Sequence, residues 1–324
     1  MGSHKNLKDS KDKKNKPDLR GHIQIARPDH WFKNVFVLPG FILAIGLEKE
    51  IGSPYLLINL VIGLISVCVI ASSNYTINEL IDAQFDRHHP TKYMRPVPMG
   101  SVNIPIAYIQ WIILMFMGVG IGLLVSASFA MIMACFWLMG CVYNIPPLRT
   151  KDLPYLDVLS EAVNNPIRLL AGWFIVDPPH KFLPLSLILS YWMIGCYFMA
   201  AKRFAEYRVF KDKVTSTAYR KSFSYYDEPR LLGTMMFYSS TSMLFFGAFI
   251  MRYRLELILS FPLIALIITD YLLITFRENS PVQTPEKIYK ESILMISLIF
   301  CAILIIILLL VDIPALHTIF APTA

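Results

Sequence analysis

The stretch "LLINLVIGLISVCVIASS", residues 56–73, is a predominantly apolar run that soon gives way to "NELIDAQFDRHHPTKYMRP", residues 78–96. A helix needs about 20 predominantly apolar residues to cross a bilayer. Helices also satisfy their own backbone hydrogen bonds in lipid. The first stretch therefore predicts a transmembrane helix, and the second places amides, acids and cations at its end.

Similar apolar blocks recur along the whole chain of 324 residues. Hydrophobic residues make up 55% of the sequence and the mean hydropathy is +0.52, which is more apolar than is usual for a soluble domain. Each block is too long for a strand, so we expect an all-α integral membrane protein with nine spans. The predicted spans are roughly 33–48, 54–78, 104–125, 128–146, 155–176, 183–201, 232–251, 255–275 and 292–312.

Residues 1–22 are polar and rich in lysine, without the apolar core of a signal peptide. We expect them to form a disordered basic arm, followed by one transmembrane domain over residues 23–324. Among the 30 lysines and arginines, only Lys49, Lys181, Arg252 and Arg254 fall in predicted outside segments. Since cytoplasmic loops carry the excess of positive charge, the N-terminus and the long loops are predicted to be cytoplasmic and the C-terminus to lie on the opposite side.

The net charge of +7 follows from this loop bias, so it does not indicate a nucleic-acid partner. The sequence also lacks the phosphate-binding loop G-x-x-x-x-G-K-[ST], the metalloprotease pattern H-E-x-x-H and the hydrolase pattern G-x-S-x-G. The unusual residues are instead concentrated in the inside connections 79–103, 147–154, 202–231 and 276–291. We therefore expect the chemistry to take place at the cytoplasmic face.

Asn78, Asp82 and Asp86 are spaced by four residues at the end of the second predicted span. On a helix this spacing forms one stripe, because each step turns only about 40° beyond a full circle. Oxygen ligands suit a hard cation such as Mg²⁺, which binds through one or two carboxylates and substrate phosphates. Acids are also costly within a membrane segment and usually mark a functional site there. The stripe predicts a Mg²⁺ site, with a polar helix end emerging into water as the alternative.

The stretch "YNIPPLRTKDLPYLDVLSEAVNNPIRLLAG", residues 143–172, contains a second acidic pair. Asp157 and Glu161 are four residues apart, so they share one helix face. The resemblance to the first stripe predicts a second half-site, facing the first, for a metal ion or a diphosphate.

Asn164 and Asn165 follow this pair by one turn, and Arg168 lies within the predicted span. A charged residue there needs a partner, which Glu161 or the first stripe could provide. The alternative is a local structural pair between Glu161 and Arg168.

Lysines and arginines accompany both acidic motifs. Cytoplasmic loops are basic in any case, but acids and bases at one membrane face also suit a metal-bound diphosphate whose remaining oxygens are held by cations. The candidate cations are Lys33, Arg87, Lys92, Arg95, Arg149, Lys151, Lys202, Arg203 and Arg208.

With these residues the sequence resembles the UbiA superfamily of intramembrane prenyltransferases. The resemblance is carried by N-x-x-x-D-x-x-x-D at Asn78–Asp86, by the later Asp157 and Glu161, by Arg95-Pro96 and by nine apparent spans. It covers nearly the whole chain after residue 22. It implies nine helices around a central cavity with a cytoplasmic cap, and two Mg²⁺ ions that hold a diphosphate.

Four stretches resemble the decaprenyl-phosphate phosphoribosyltransferase branch: "RPDHWFKN" (27–34), "DRHHPTKYMRP" (86–96), "AAKRFAE" (200–206) and "YRKSFSYY" (219–226). That branch moves phosphoribose from phosphoribosyl pyrophosphate to a polyprenyl phosphate. Donor and acceptor together carry three anionic groups, which fits the number of cations. The acidic pair in D-V-L-S-E is closer to members that use prenyl diphosphates, so a prenyl group moved to an aromatic or other small acceptor is the alternative.

The resulting prediction is a Mg²⁺-dependent transferase that acts on a diphosphate donor and a polyprenyl lipid and releases pyrophosphate. Asp82, Asp86 and Asp157 are the predicted catalytic carboxylates, and Asn78 and Glu161 complete the metal ligands. Substrate binding is predicted for Lys33, Arg87, Lys92, Arg95, Arg149, Lys151, Asn164, Arg168, Lys202 and Arg203. A membrane transporter is the rival of another class, because intramembrane acids also line transport paths. The sequence leaves the oligomeric state open.

Overall fold

The structure is a computed structural model that describes residues 16–47, 54–87, 92–176, 182–209, 217, 220–278, 280–283 and 285–320, without the side chains of 285–287. Every regular element in these ranges is helical, so the all-α prediction is confirmed. The α-helices are α1 Leu19–Ile25, α2 Leu38–Leu47, α3 Leu56–Asp86, α4 Ile104–Leu123, α5 Ala127–Asn144, α6 Leu156–Ala162, α7 Asn164–Val176, α8 Leu185–Tyr207, α9 Glu228–Tyr253, α10 Phe261–Thr275, α11 Ser292–Leu310 and α12 Pro314–Ile319. The longer 3₁₀ segments are Pro28–Val37, Leu255–Ser260 and Pro285–Lys290.

Eight helical segments within the described ranges are long and apolar enough to cross a membrane. They match eight of the nine predicted apolar blocks, and the first and second extend furthest beyond the predicted bounds. The segments are Leu19–Leu47, Leu56–Asp86, Ile104–Leu123, Ala127–Asn144, Leu185–Tyr207, Glu228–Tyr253, Leu255–Thr275 and Ser292–Leu310.

The block predicted over 155–176 differs, because it consists of the two short helices α6 and α7. The interruption lies next to Pro166, which has no backbone N–H to bond the carbonyl of Ala162 four residues earlier. The Asn164 Nδ2 donates to the Glu161 carbonyl at 3.0 Å and so satisfies one of the free acceptors at the end of α6. Neither helix alone has the length of a span.

The helix α3 continues to Asp86, past the predicted end of its apolar block at residue 78. Glu79, Leu80 and Ala83 are buried on this last part, so tertiary packing stabilises the extension. All three residues of the first stripe therefore lie on one continuous helix, as the spacing argument requires.

The chain divides into two compact units. The N-terminal unit comprises residues 1–37 and 54–150, and the C-terminal unit comprises residues 38–53 and 151–324. The helix α1 begins at Leu19, where the Asp18 side chain accepts the Gly21 N–H at 2.6 Å. Helical structure thus begins within the stretch predicted to be a disordered arm, whose residues 1–15 lie outside the described ranges.

The N-terminal unit is built on α3, which packs against α4 and α5. Glycines allow the close approach: a Cβ at Gly118 would lie 2.5 Å from the Ile70 side chain, and one at Gly140 would lie 2.2 Å from the Asn74 side chain. The Ser66 hydroxyl donates to the Gly118 carbonyl at 2.7 Å. Small residues and hydroxyl bonds of this kind hold membrane helices together.

The C-terminal unit is built on α8 and α9. In its membrane-spanning part, the Ser190 and Ser242 hydroxyls each donate to the other residue's carbonyl, at 3.0 and 2.9 Å. The core around the end of α8 includes the fully buried Phe204, Phe223 and Tyr226. This packing brings the segment that precedes α9 onto the polar end of α8, where the second acidic motif lies.

Candidate active site

The first acidic motif begins with Asn78, whose orientation is set by α5. The Asn78 Nδ2 donates to the Asn144 Oδ1 at 2.6 Å, and the Asn144 Nδ2 donates to the Gly140 carbonyl at 2.9 Å. Because the Asn144 amide is fixed by its bond to the backbone, the nitrogen of Asn78 is committed to Asn144. The side-chain amide oxygen, Asn78 Oδ1, is therefore the atom that this side chain can offer to a cation.

Asp82 lies one turn further along and is paired with Arg149. The Arg149 Nη2 donates to the Asp82 Oδ1 at 3.0 Å, its Nη1 donates to the Asn144 carbonyl at 3.3 Å, and its guanidinium carbon lies 5.1 Å from the centre of the Phe85 ring. The Asp82 side chain remains 20% exposed. The carboxylate is thus neutralised by one arginine and still reachable from solvent.

Asp86 ends the stripe and is paired with Arg95. The Arg95 Nη1 donates to the Asp86 Oδ2 at 2.6 Å, while the Asp86 side chain is 7% exposed. Two acids predicted to bind a metal ion and two cations predicted to bind substrate thus form two matched ion pairs within the N-terminal unit.

Glu79 belongs to this region and was not predicted from the sequence. It is almost completely buried, accepts the Val97 N–H at 3.2 Å and lies 3.6 Å from the Arg27 guanidinium. The bond holds the loop that contains Arg95 and Pro96 against α3. Glu79 lies inside the motif but between the positions that a spacing of four residues connects.

Asp157, the first acid of the second motif, is completely buried. Its Oδ2 accepts from the Arg203 Nε at 3.1 Å and the Ser222 hydroxyl at 3.1 Å, with the Arg220 Nη1 at 3.5 Å. Its Oδ1 accepts from the Tyr226 hydroxyl at 2.7 Å. Three of these donors, Arg220, Ser222 and Tyr226, lie in the stretch 219–226 that carries part of the family resemblance. None of the three was a predicted site residue.

Arg203 is the centre of the second motif and is itself completely buried. Besides Asp157, it donates through Nη1 to Glu206 at 3.1 Å and through Nη2 to Glu161. Glu161 is 26% exposed and also lies 3.8 Å from the Lys202 Nζ. Both cations lie within α8, although the sequence placed them at the start of the loop after it.

Three predicted substrate-binding cations of the N-terminal unit lie outside the ion pairs with Asp82 and Asp86 described above. Lys33 lies on the 3₁₀ segment Pro28–Val37, with its Nζ 5.9 Å from the centre of the Phe32 ring. Arg87 is the exposed residue that ends α3, and Lys92 begins a 3₁₀ turn at Lys92–Met94. Their roles in binding stay predictions.

The remaining candidates belong to the C-terminal unit. Lys151 is buried in the 3₁₀ turn Thr150–Asp152. Asn164 begins α7, and its carbonyl accepts from the Arg168 Nη1 at 3.3 Å. The Asn164 Oδ1 is buried without a hydrogen-bond partner in the described part of the chain. Such an acceptor is available to a donor from outside the chain.

No group of three or more acidic, cysteine or histidine side chains that could hold a metal ion occurs within the described ranges. The acids of the first motif lie on one helix face and are paired with arginines. The donor set of one amide oxygen and two carboxylates nevertheless has the oxygen chemistry that Mg²⁺ requires, so the N-terminal motif fits this ion in residue type.

A multi-pass, all-helical fold with acids and cations at the ends of its helices defines an integral membrane protein with a polar site in each unit. Residues 35–290 match the UbiA prenyltransferase family. The chain therefore belongs to that family.

Curated relatives make the comparison more specific. The chain is 30% identical over 214 residues to the decaprenyl-phosphate phosphoribosyltransferase of Mycolicibacterium smegmatis, covering 64% of this chain and 63% of the relative. It is 30% identical over 216 residues to the enzyme of the same name from Corynebacterium glutamicum, covering 64% of this chain and 60% of the relative. The matched region thus spans less than two thirds of the length of either relative.

A solved structure resembles the fold over most of the chain. The UbiA homologue of Archaeoglobus fulgidus, bound to GPP and Mg²⁺, has a TM-score of 0.66 and 21% identity. The similarity covers 90% of this chain and 100% of that one. At this identity it establishes the fold.

Proposed function

We propose that the protein is a Mg²⁺-dependent intramembrane transferase that moves phosphoribose from phosphoribosyl pyrophosphate to a polyprenyl phosphate and releases pyrophosphate. The two relatives at 30% identity bear the name of this activity, and the structural neighbour binds Mg²⁺ together with a diphosphate. The motif residues supply the charges that the reaction needs.

The observation that carries the proposal is the pairing of acids with arginines on the first motif. Asp82 is paired with Arg149, and Asp86 with Arg95. Guanidinium groups bind phosphate oxygens as readily as carboxylates, often through two parallel hydrogen bonds. Each pair can therefore separate into an acid that turns to a metal ion and an arginine that turns to a phosphate. Partner exchange keeps both charges compensated before and after the substrate binds.

Asn78, Asp82 and Asp86 would hold Mg²⁺ in the N-terminal unit, and Glu161 is the accessible acid of the second motif. When bound, Mg²⁺ neutralises the charge that develops on a departing pyrophosphate. Arg95 and Arg149 are placed to hold phosphate oxygens of the donor at the same time.

The donor and acceptor explain why the chain carries so many cations near its acids. Phosphoribosyl pyrophosphate has a 5-phosphate besides its diphosphate, and the lipid acceptor adds a third phosphate group. Breaking the bond between ribose carbon and pyrophosphate oxygen leaves an electron-poor carbon, which an oxygen of the acceptor phosphate attacks. That oxygen is already ionised, so no side chain has to remove a proton from it. Lys202, near the end of α8, and the loop cations would hold the second and third anionic groups.

The membrane arrangement belongs to the same proposal. We place the N-terminus and both acidic motifs on the cytoplasmic side because of the charge bias, with α6 and α7 as a broken ninth crossing. The central cavity and the cytoplasmic cap remain predictions from the family resemblance. The disordered arm predicted over residues 1–22 does not hold from Leu19 onward, where α1 begins, and its residues 1–15 lie outside the described ranges.

Transfer of a prenyl group is the second candidate function. It is favoured by the acid pair Asp157 and Glu161, which is the sequence feature closest to family members that use prenyl diphosphates, and by the GPP bound in the structural neighbour. In that case the acceptor is an aromatic or other small molecule, and an aspartate of the first motif would act as the base.

The test measures pyrophosphate release by the purified protein with Mg²⁺ and two substrate pairs. One pair is phosphoribosyl pyrophosphate with a polyprenyl phosphate, and the other is a prenyl diphosphate with an aromatic acid. We expect release with the first pair and its loss in Asp82→Asn. Asp312→Asn is the matched control, because this exposed aspartate pairs with Arg254 far along the sequence from either motif.

Release with the second pair alone would replace the proposal by prenyl transfer. Absence of release with both pairs would contradict both transferase functions and favour the transporter.

A further inference from the structure

The second acidic motif does not fit the role of a two-ligand metal site. We propose that Asp157 is a positioning residue that holds Arg203 and the 220–226 segment in place, and that Glu161 is the motif's metal ligand. The second half of this inference rests on the proposed function. The first half rests on the contacts of Asp157 alone.

The carboxylate of Asp157 has no free position for a cation. An ionised carboxylate offers about four lone-pair sites. Arg203, Ser222 and Tyr226 donate to it at 2.7–3.1 Å, and Arg220 lies at 3.5 Å. Mg²⁺ requires near-octahedral oxygen ligands at about 2.0–2.1 Å. Binding it here would displace a donor and bring the ion next to a buried guanidinium.

Tyr226 is committed to this arrangement from both sides. Its hydroxyl oxygen accepts the Tyr155 N–H at 2.6 Å, and its proton is donated to Asp157. The 220–226 segment is thereby tied to the residue that precedes α6.

Glu161 differs from Asp157 in its access to solvent. It is 26% exposed, whereas the Asp157 side chain is 0% exposed. The Arg203 Nη2 donates to Glu161, and Glu206 holds the Nη1 of the same guanidinium. Asp157 accepts from Nε, which lies on the same edge of the guanidinium as Nη2, so fixing Nε also directs Nη2 towards Glu161. Asp157 therefore sets the position of Glu161 through Arg203.

The experiment replaces each acid by cysteine in the full-length protein and measures Cd²⁺ binding. A thiolate prefers soft ions, so a cysteine at a ligand position gains Cd²⁺ affinity and one at a positioning residue does not. We expect Glu161→Cys to bind Cd²⁺ at least about 10-fold more tightly than the wild type, and Asp157→Cys to equal the wild type. Asp82→Cys is the reference for the first motif. Cd²⁺ binding by the wild-type protein serves as the control for the five native cysteines.

A second measurement is independent of metal. Asp157→Asn and Tyr226→Phe are each expected to lower the midpoint of thermal unfolding by about 5 °C or more in metal-free protein. The midpoint of the double variant should fall by less than the sum of the two single decreases, because both substitutions remove the same hydrogen bond between Tyr226 and Asp157. Glu161→Gln should leave the midpoint within about 2 °C.

The outcomes are distinct. Tight Cd²⁺ binding by Asp157→Cys, or an unchanged unfolding midpoint in Asp157→Asn, would overturn the positioning role. Failure of Glu161→Cys alone would overturn its role as ligand. If Asp82→Cys also fails to bind Cd²⁺, the metal-dependent function itself is wrong, while the unfolding data still decide the role of Asp157.

Discussion

The two acidic motifs have the same spacing of four residues but different surroundings. In the N-terminal unit, Asp82 and Asp86 are each paired with an arginine, and the Asp82 side chain is 20% exposed. In the C-terminal unit, Asp157 is completely buried beneath four donors from two other segments. A carboxylate that solvent reaches can exchange its partner, whereas burial beneath four donors fixes it. Equal spacing along a helix therefore does not define equal function, because the neighbouring segments determine what each acid can bind.

Replacing Arg203 by lysine is expected to have the largest effect. The guanidinium is completely buried and donates to three carboxylates, which an ammonium on a thinner stem cannot reproduce. We expect a loss of about 3–5 kcal/mol in the free energy of unfolding, measured by denaturation in detergent. Arg277→Lys is the control, because Arg277 is exposed and pairs with Glu291 at the surface. Equal stability of the two variants would contradict the structural role of the second motif.

Replacing Asp82 by asparagine tests the other side of the comparison. We expect pyrophosphate release to fall at least about 100-fold, with little change in the unfolding midpoint, because the Asp82 side chain is partly exposed and its pairing with Arg149 is screened by solvent. Activity and unfolding should be measured on the same preparation. A variant that unfolds early would place Asp82 with Asp157 as a structural residue and remove the distinction between the motifs.

Replacing Arg149 by lysine should have a smaller effect on the same reaction. The lysine keeps the positive charge but loses the forked contact to Asp82 and the Asn144 carbonyl, as well as the stacking on Phe85. We expect the KM for the diphosphate donor to rise about 10-fold, while kcat changes less. Initial rates over a range of donor concentrations separate the two constants. A fall in kcat alone would assign Arg149 to the transition state instead of donor binding.

Replacing Glu79 by glutamine should have the smallest effect. The amide keeps an oxygen that can accept the Val97 N–H but loses the attraction to Arg27. We expect about 1 kcal/mol of destabilisation and a modest rise in the KM for the donor, because the loop that carries Arg95 is held less firmly. The free energies of unfolding of Glu79→Gln, of Arg95→Lys and of the double variant show whether the two changes are coupled. If the two losses of stability simply add in the double variant, Glu79 is not connected to the site.

The fold was predictable where hydrophobic length determines it. Eight of the nine apolar blocks correspond to membrane-length helices, because a run of apolar residues in lipid has few alternatives to a helix. The exception is the block over 155–176, which the structure divides into α6 and α7 next to Pro166. Mean hydropathy does not predict this break, because it takes no account of the backbone N–H that proline lacks. The extension of α3 to Asp86 was not predictable from hydropathy either, since burial against neighbouring helices stabilises its polar end.

The candidate site residues stay predictions, and their contacts could be predicted from the sequence only in part. The spacing of Asn78, Asp82 and Asp86 placed them on one helix face, which the structure confirms. The partners of Asp157 come from α8 and from the segment before α9, more than 40 residues further along the chain. No local pattern encodes such a contact. The buried position of Arg203 was hidden for the same reason, because a charged residue at the end of an apolar block resembles a loop residue.

Arg203 also limits which substitutions the chain can accept. One guanidinium donates to Asp157, Glu161 and Glu206 together, so loss of Asp157 removes the buried carboxylate that faces its Nε, and loss of the arginine leaves three acids facing one another. Of the four positions, Arg203 and Asp157 are therefore expected to change together and not one residue at a time. A library that randomises all four should recover folded variants in which the balance of charge is kept, even where the individual residues are not.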